Sequence, residues 1–312
     1  MPVLSADGLA KSFGLVKALN GVSFAVEKGE IFGLVGPDGS GKTTTMRILA
    51  SILDPDAGSA EVMGFSTVRA PEMVKEHIGY MSQRFGLYTD LTVMENIDFY
   101  ADLYGVPKKS RGQKIDRLLA FSNLAPFRKR LAGRLSGGMK QKLGLACALV
   151  HTPDVLLLDE PTNGVDPVSR RDFWRILYSL LQEGVSIFVS TAYLDEAERC
   201  SRVAMISQGR IIACDTPQKV KGMMRSPLLE VKCAFPRRCA SLLNGRIASH
   251  SIGIFGDTVH VAVDNAETAA AQIDSILTAA EGVKPEIRII APSLEDVFIS
   301  VLGSGGEAGG AS

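Results

Sequence analysis

The amino-acid sequence predicts an α/β fold whose core is a parallel β-sheet with helices on both faces. Four short runs, at residues 31–35, 155–158, 185–190 and 203–207, are predominantly apolar, as strands buried on both faces of a sheet are. Segments of helical periodicity separate them, which is the alternation that such a sheet requires. With 46% apolar and 22% charged residues, the composition is that of a globular protein and excludes a disordered chain.

The elements are expected in the following order. Residues 3–9 and 22–26 are strand-like and bounded by turn residues, which predicts an N-terminal antiparallel β subdomain. Residues 31–35 then lead through a glycine-rich loop into an apolar-periodic helix at 44–53. Between residues 86 and 150 the strand character disappears and helical periodicity takes over, so we expect a helical insertion there.

The composition changes again after residue 217, which predicts a second, smaller unit. We expect a larger first domain at residues 1–217 and an α+β appendage at 218–302. Residues 303–312 are rich in Gly, Ala and Ser and lack an apolar anchor, so they are expected to form a flexible tail. The appendage is predicted to contain strands at 228–235, 258–263 and 286–290 and helices at 266–280 and 294–302.

Charge and targeting signals exclude several classes of function. The 34 basic and 34 acidic residues cancel, which argues against a whole-surface footprint for nucleic acid or anionic lipid. The basic cluster at 128–134 is interpreted as a solvated surface rather than a nucleic-acid patch. No run of 18 apolar residues and no signal peptide are found in the sequence, so a cytosolic chain is expected. The five Cys and four His show no metal-ligand spacing and no disulfide framework, and the Cys are interpreted as small apolar residues.

A glycine-rich loop carries the first chemical signal. Residues 36–43 read Gly-Pro-Asp-Gly-Ser-Gly-Lys-Thr and fit G-x-x-x-x-G-K-[ST] between a predicted strand and helix. The glycines let backbone N–H groups point at a polyphosphate, Lys42 reaches the β- and γ-phosphates, and the Thr43 hydroxyl can bind Mg²⁺. The candidate nucleotide-binding residues of this loop are Gly36, Pro37, Asp38, Gly39, Ser40, Gly41, Lys42, Thr43 and Thr44.

Two further motifs match this chemistry. The strand at 155–158 ends in Asp159 and Glu160, where Asp159 would hold the water shell of Mg²⁺ and Glu160 would accept a proton from the attacking water. Ser136, Gly137 and Gly138 precede a predicted helix and form a second potential anion site. One nucleotide does not need two such sites, so we interpret the second as closing over a nucleotide held by another subunit. The alternative is a plain helix cap.

Together these motifs make residues 1 to about 215 resemble the ATP-binding subunits of ABC transporters, a P-loop NTPase family with a RecA-like core. The resemblance implies that Gln83 is the Q-loop residue that senses Mg²⁺ and faces the membrane partner. It implies that Asp166 lies in the D-loop and that Phe13 stacks on adenine. It also implies head-to-tail dimers that sandwich two ATP molecules, with Glu160, Gln83 and Lys42 as the catalytic residues and Thr43, Gln83 and Asp159 as the magnesium site.

Three segments, at residues 85–96, 193–198 and 292–298, resemble the drug-resistance exporters of the ABC-2 type, above all the first module of subunits that carry two ATPase modules in tandem. This resemblance implies an ATPase that powers export of drugs or other small amphipathic compounds through a separate membrane permease. It would lie in the cytoplasm, on the inner face of the cell membrane, paired with a second ATPase module as a homodimer or heterodimer, and would bind no nucleic acid. The tail either precedes a second module or is a frayed terminus.

The sequence departs from the family pattern at two positions of one nucleotide site. Ala192 stands where the family has a His that contacts the γ-phosphate, and Asp38 stands where Asn is usual. Loss of such a group commonly costs about 10²- to 10⁴-fold in rate, so slow hydrolysis is expected at this site. Alternatives are that Glu160 alone suffices, that the chain is a non-hydrolysing regulatory module, or that it is a soluble ABC ATPase without a transport role.

Overall fold

The computed structural model describes residues 2–84, 86–282 and 284–304. Its chain divides into two compact units, Met1–Cys214 and Asp215–Ser312, and this division falls close to the expected boundary at residue 217. Residues 305–312, most of the predicted flexible tail, lie outside the described residues, whereas 303 and 304 continue the last helix.

The strands up to the end of the first unit are β1 (Leu4–Phe13), β2 (Val16–Val26), β3 (Ile31–Val35), β4 (Ala57–Val62), β5 (Phe65–Ser66), β6 (Ile78–Met81), β7 (Val155–Asp159), β8 (Ser186–Thr191), β9 (Arg202–Ser207) and β10 (Arg210–Asp215). Its helices are α1 (Lys42–Leu49), α2 (Pro71–His77), α3 (Val93–Leu103), α4 (Lys108–Phe121), α5 (Gly137–Leu149), α6 (Pro167–Gln182) and α7 (Leu194–Ala197). The second unit contains α8 (Pro217–Lys221), β11 (Leu228–Lys232), α9 (Pro236–Leu243), β12 (Ser251–Phe255), β13 (Thr258–Ala262), α10 (Ala266–Glu281), β14 (Glu286–Ile290) and α11 (Leu294–Ser304).

The central sheet has six strands in the order β10-β9-β3-β8-β7-β6, and neighbouring strands from β9 to β6 run parallel. β3, β7 and β8 are buried along their whole length, as strands of a sheet covered on both faces are. This confirms the predicted α/β fold. The register places Asp159 of β7 opposite Ser190 of β8, so polar residues from two strands meet at the carboxyl edge.

A four-stranded antiparallel sheet, in the order β2-β1-β4-β5, forms the predicted N-terminal β subdomain. It packs on the central sheet through three stacked rings, Phe24 of β2, Phe32 of β3 and Phe188 of β8, whose centroids lie 5.3 to 5.7 Å apart. Burial of such rings dominates core energetics. The two sheets therefore share one core, and the end of β1 is held beside the loop that follows β3.

The helical insertion contains α3, α4 and α5 around an apolar cluster of its own, with Ile97, Ile115 and Leu143 fully buried. A capping box starts α3: the Thr92 hydroxyl accepts from Glu95 N, and the Glu95 carboxylate accepts from Thr92 N, which satisfies two otherwise unpaired donors. The insertion therefore forms a small helical subdomain between β6 and β7.

The second unit is the predicted α+β appendage. Its sheet has the order β12-β13-β11-β14 and is antiparallel, and α9 and α10 bury one face around Val231, Val259 and Ile273. None of the described helices in either unit combines the length and hydrophobicity that a membrane crossing requires.

The sequence prediction was wrong or incomplete in several elements. β2 begins at Val16 rather than at 22, because it pairs along all of β1 with bulges that blur its alternating pattern. The strand expected at 228–235 ends at Lys232, and α9, which was not predicted, follows at Pro236. Strand β6 was also missed: its four residues are too few to show periodicity.

One expectation about cysteine is corrected. The sequence predicted five separate small apolar Cys residues, whereas Cys233 and Cys239 are joined in a disulfide. Cys233 follows β11 and Cys239 lies in α9, so the reversal of the chain between strand and helix brings the two together. A search for C-x-x-C spacing could not find this pair. Cys147 and Cys200 are buried, as expected.

Candidate functional site

The loop between β3 and α1 approaches its neighbours too closely for most side chains. A Cβ at Gly36 would lie 2.1 Å from the Ile206 carbonyl oxygen, and one at Gly41 would lie 2.6 Å from the Ala18 oxygen. Gly41 also has φ 111°, a conformation that L side chains rarely adopt. The glycines therefore let the loop turn tightly and start α1 at Lys42, two residues earlier than predicted.

Lys42 is buried at the centre of this loop. Its ammonium donates to the carbonyl oxygens of Gly36 at 2.8 Å and Pro37 at 3.0 Å and lies 3.1 Å from Glu160 Oε1. A buried cation requires such partners because its desolvation is costly. The loop thus holds one positive charge at the point where its glycines leave the backbone accessible.

Asp159 ends β7 beside the start of α1. Its Oδ1 accepts from the Ser190 hydroxyl at 2.7 Å and from the Thr43 hydroxyl at 3.2 Å. Its Oδ2 is buried and has no hydrogen-bond partner within the described part of the chain. Burial raises the pKa of the Asp159 carboxyl above its usual value, against the lowering effect of the hydroxyls of Ser190 and Thr43. An unsatisfied buried carboxylate oxygen next to a threonine hydroxyl suits a hard cation.

Glu160 follows Asp159 in a left-handed backbone conformation, with φ 49°. Its amide donates to the Ser190 hydroxyl at 3.0 Å. Its Oε2 accepts from Gln83 Nε2 at 2.9 Å and from Asn163 Nδ2 at 3.3 Å. The carboxylate is therefore fixed by three side chains, including Lys42, and stands beside the glycine-rich loop as predicted.

Phe13 and six of the predicted loop residues, Asp38, Gly39, Gly41, Lys42, Thr43 and Thr44, line two adjoining clefts, whereas Gly36, Pro37 and Ser40 do not. One, of about 390 Å³, contains Phe13 at its edge; the other, of about 250 Å³, contains Ala192. Asp38 and Glu160 belong to both. The first cleft is lined by Phe13, Ala18, Asp38, Gly39, Gly41, Lys42, Thr43, Thr44, Gln83 and Glu160, and the second by Asp38, Glu160, Thr162, Asn163, Thr191, Ala192 and Tyr193.

Three predicted residues differ in exposure. Phe13 is half exposed at the end of β1, and the Lys11 ammonium lies 5.9 Å from its ring centroid. The Asp38 side chain is 95% exposed and 4.0 Å from the Lys42 ammonium. Ser40 is buried, and its hydroxyl has no partner within the described residues. Asp38 thus faces solvent rather than the loop interior.

The second predicted anion site lies at the start of α5. The Ser136 hydroxyl accepts from Met139 N at 3.3 Å and caps the helix. A Cβ at Gly138 would lie 2.5 Å from Ser169 of α6, whereas Gly137 is exposed. Of the described residues that line the two clefts, none comes from this segment. Its exposed backbone therefore faces away from the cleft of its own chain.

Asp166 starts the neighbouring helix. Its carboxylate accepts from Ser169 N at 2.9 Å and caps α6, and hydrogen bonds from Ser169 hold the pKa of Asp166 below its usual range. The Asp166 side chain is exposed to solvent and lines neither cleft. Its predicted place in the loop after β7 agrees with the structure; its contact with a nucleotide remains a prediction.

Sequence reasoning missed several residues that hold the site together. Ser190, Asn163 and Thr191 form hydrogen bonds to Asp159, Glu160 and Glu196. The fully buried Glu196 also accepts from Thr162 Oγ1 at 2.5 Å. A weak signal was available for Ser190 and Thr191, since polar residues at the end of a buried strand need partners.

The glycine-rich loop joins the parallel strand β3 to α1 and contains Lys42, and two carboxylates lie at the end of β7, two strands away in the sheet. This combination defines a P-loop nucleotide-binding domain. Comparison with known proteins makes the class specific. The family model described as "ABC transporter" matches residues 19–163.

Two curated relatives cover nearly all of the chain. The chain is 44% identical over 321 aligned positions to the Probable multidrug ABC transporter ATP-binding protein YbhF of Escherichia coli (strain K12), covering 97% of this chain and 53% of that protein. It is 34% identical to the Daunorubicin resistance ATP-binding protein DrrA2 of Streptomyces coeruleorubidus, covering 96% and 94% respectively. The chain spans about half the length of the first of these relatives.

Solved structures agree. A structure titled "Structure of ATP binding subunit of ABC transporter" is 27% identical, with a TM-score of 0.65 over 71% of this chain and 92% of that one. The chain therefore belongs to the ATP-binding subunit family of ABC transporters.

Proposed function

We propose that the chain binds ATP with Mg²⁺ in the cleft beside residues 36–43 and hydrolyses it. The observation that carries this proposal is the Glu160 carboxylate at the end of β7, held next to Lys42 by Gln83 and Asn163. This is where a base must stand to take a proton from a water near a bound γ-phosphate. Phe13 at the cleft edge is a candidate stacking surface for adenine.

The donor set fits Mg²⁺. The orphaned Oδ2 of Asp159, the Thr43 hydroxyl and the Gln83 amide are oxygen ligands of the hard type that Mg²⁺ prefers. When bound, Mg²⁺ would neutralise charge that develops on the transferred phosphoryl group. Asp159 would keep its ionised form there despite the burial that raises its pKa.

The side chains of the cleft divide the reaction among them. Glu160 accepts the proton of the attacking water, and Gln83 holds one carboxylate oxygen so that the other faces the cleft. Lys42 exchanges its contacts with Gly36, Pro37 and Glu160 for the phosphate oxygens and stabilises their charge. Release of Lys42 from Glu160 frees the base at the moment that ATP binds.

This nucleotide site is proposed to be weakened. Ala192 lines the cleft where relatives of this family commonly carry a His, and its methyl group can neither donate to a phosphate nor orient a water. Hydrolysis by a chain with this residue is expected to be slow but not absent, since Glu160 and its supports remain in place. The other reading of the same observation is a regulatory module that binds ATP without hydrolysis.

A second ATPase module, as a homodimer or heterodimer, is proposed to complete each site. Ser136 and Gly137 present free backbone at the start of α5 on a surface that does not belong to the cleft of their own chain. A helix start of this kind favours an anion. We therefore assign it, with Ser136, Gly137, Gly138 and Asp166, to the nucleotide of the opposing module.

We propose a membrane permease of the ABC-2 type as the further partner. An apolar surface at α3, defined by Phe99 and Leu103 on the helix and by Tyr88 in the loop before it, is solvent-exposed. The Tyr88 and Phe99 ring centroids lie 4.6 Å apart. Asn96 fixes the loop before α3 by bonding both the N–H and the oxygen of Tyr88. Such a rigid apolar surface, linked through residues 83–88 to Gln83, can receive a helix from the permease and pass motion to it.

The names of the relatives support drugs or other small amphipathic compounds as cargo and export as direction. One relative is named for multidrug transport and another for daunorubicin resistance. The chain would then work in the cytoplasm, peripheral on the inner face of the cell membrane through its permease. No role in nucleic-acid binding is proposed: Arg128 pairs with Asp116 at 2.7 Å, and Arg130 stacks on Phe127.

A single-turnover assay with MgATP tests hydrolysis. Product formation that disappears in Glu160→Gln supports an enzyme, whereas binding without product in both chains supports the regulatory alternative.

The permease is tested by purification of the complex from membranes and by cross-linking of Phe99→Cys. Leu15→Cys, at an exposed apolar position on the β1–β2 turn, is the matched control. Cross-links at Leu15 alone, or cross-links that do not respond to ATP, would contradict the docking surface.

A further inference from the structure

We infer that Tyr193 and Asn163 form a relay that positions the Glu160 carboxylate at a site where position 192 lacks the histidine of the family. Both are positioning residues, since they act on the reaction through Glu160. The inference rests on the proposed hydrolysis by Glu160, and goes beyond it by naming what holds the base when the switch residue is alanine.

Asn163 is the middle member of the relay. Its Nδ2 donates to Glu160 Oε2 at 3.3 Å, and its Oδ1 accepts from the Tyr193 hydroxyl at 3.4 Å. The reverse amide orientation would set Oδ1 against the carboxylate oxygen, two acceptors without a proton between them. The relay therefore has one direction, from the tyrosine hydroxyl through the amide to the base.

Tyr193 is held through its ring and through its backbone. The Arg170 guanidinium lies over the ring at 4.4 Å from the centroid, and the backbone N–H of Tyr193 donates to the Thr191 hydroxyl oxygen at 3.0 Å. Arg170 is in turn 3.5 Å from Glu196. A ring clamped in this way loses little entropy when its hydroxyl forms a bond, which favours a positioning role.

The other hydroxyl of this segment is already committed. Thr191 Oγ1 donates to the buried Glu196 carboxylate at 2.9 Å, and Ala192 offers only a methyl group to the cleft. The Tyr193 hydroxyl is left as the donor that residues 191–193 present toward Glu160. Its 3.4 Å bond is longer than the optimum for O–H···O, and bonds of catalytic groups commonly tighten when substrate is bound.

Tyr193→Phe tests the relay because it removes the hydroxyl and keeps the ring on Arg170. We expect kcat for ATP to fall about threefold to tenfold, as for loss of one positioning hydrogen bond, with KM and nucleotide Kd changed by less than about twofold. Tyr178→Phe is the matched control: its hydroxyl bonds the Arg199 oxygen at 3.1 Å outside the clefts, and kcat should not change.

Two double-mutant cycles separate a relay from a general loss of structure. In an Asn163→Ala background, Tyr193→Phe should cost nothing further, because the hydroxyl acts through that amide. In an Ala192→His background Tyr193→Phe should cost about as much as in the parent, because the imidazole would act on the phosphate and the relay acts on Glu160. If Tyr193→Phe lowers the melting temperature, kcat is measured in Asn163→Ala instead, because that variant breaks the same relay at its middle member.

An unchanged kcat in Tyr193→Phe, an equal loss in Tyr178→Phe, or full additivity with Asn163→Ala would overturn the relay. Failure of the proposed function looks different: the parent chain would then show no product at all, and Glu160→Gln would be indistinguishable from it. Turnover that requires Glu160 but ignores Tyr193 sinks this inference alone.

Discussion

The two regions that we propose to contact nucleotide differ in how they are held. Around Glu160, side chains from distant parts of the sequence interlock: Lys42, Gln83 and Asn163 all bond one carboxylate. At the start of α5, the Ser136 hydroxyl bonds the backbone three residues on, and at the start of α6 Asp166 bonds Ser169, also three residues on. The first region is preorganised within one chain, whereas the second offers exposed backbone that another chain can engage. The difference suggests that one chain shows the base side of a reaction site in full, whereas the side supplied by α5 takes its meaning from a second chain.

The largest effect is expected when the interlocked region loses its base. Glu160→Gln keeps the size and can keep a hydrogen bond to Asn163, but the amide cannot accept the proton of water. We expect the rate of hydrolysis to fall by about 10² to 10⁴, with ATP binding retained. Rapid-quench hydrolysis and equilibrium nucleotide binding measure the two separately. Residual turnover within a few fold of the parent would remove Glu160 from the role of base.

The open region is tested by Gly137→Glu. A carboxylate at the exposed first position of α5 suits the helix itself but opposes the phosphates of a nucleotide held by another module. We expect ATP-dependent dimerisation to weaken about 100-fold, since a like-charge contact in an interface costs several kcal/mol, while the chain's own ATP binding is unchanged. Light scattering with ATP in a Glu160→Gln background, which prevents turnover, makes the measurement.

Gly112→Glu is the matched control for that experiment, because Gly112 is an exposed helical glycine with open space around its Cα. It should dimerise like the parent. Equal dimerisation of both variants would show that α5 does not face the second nucleotide.

A gain of function is expected in the interlocked region from Ala192→His. An imidazole at this edge of the cleft can donate to a phosphate, so we expect kcat to rise about threefold to tenfold. Ala192→Leu adds bulk without a donor and should not raise the rate. Steady-state phosphate release checks both, and no change in Ala192→His would contradict a weakened site.

The smallest effect is expected from Asp38→Asn. In a protein-like dielectric, a carboxylate about 6 Å from the phosphates would oppose them by roughly 3 kcal/mol. The structure places the Asp38 side chain 95% exposed to solvent and 4.0 Å from the Lys42 ammonium. In a water-like dielectric, the repulsion between this carboxylate and a phosphate about 6 Å away falls to about 0.7 kcal/mol. We expect ATP to bind at most about threefold more tightly, as measured by titration calorimetry. A gain near 100-fold would show that Asp38 turns inward when nucleotide binds.

The parts of the molecule that sequence reasoning predicted are those with a local cause. The loop at 36–43, the acid pair after β7 and the helix start at Ser136 each consist of neighbours in sequence whose types and spacing carry the chemistry. Asn163, Ser190 and Tyr193 were missed because their meaning comes from contacts that only folding creates. Asn163 stands three residues after Glu160 and Tyr193 thirty residues later still, and no periodicity joins them.

The same distinction applies to the fold. β3, β7, β8 and β9 were predicted because a strand buried on both faces is apolar along its length. β6 has four residues and gave no pattern, although it occupies the sheet edge that leads to Gln83. The disulfide of Cys233 and Cys239 depends on the unpredicted helix α9, so missing the helix meant missing the bond.

The backbone at Glu160 carries a cost that any programme of stabilisation would meet. It is one of six non-glycine residues with positive φ among those described, and such a residue typically costs of order 1–3 kcal/mol. Glycine at this position would relax the backbone. A library screened for heat resistance should nevertheless retain Glu at 160, because Gly would leave the buried Lys42 ammonium without the carboxylate 3.1 Å away, and loss of one partner of a buried ion pair costs about 3–5 kcal/mol. The ion pair with Lys42 thus holds the base in a backbone conformation that the residue alone would leave.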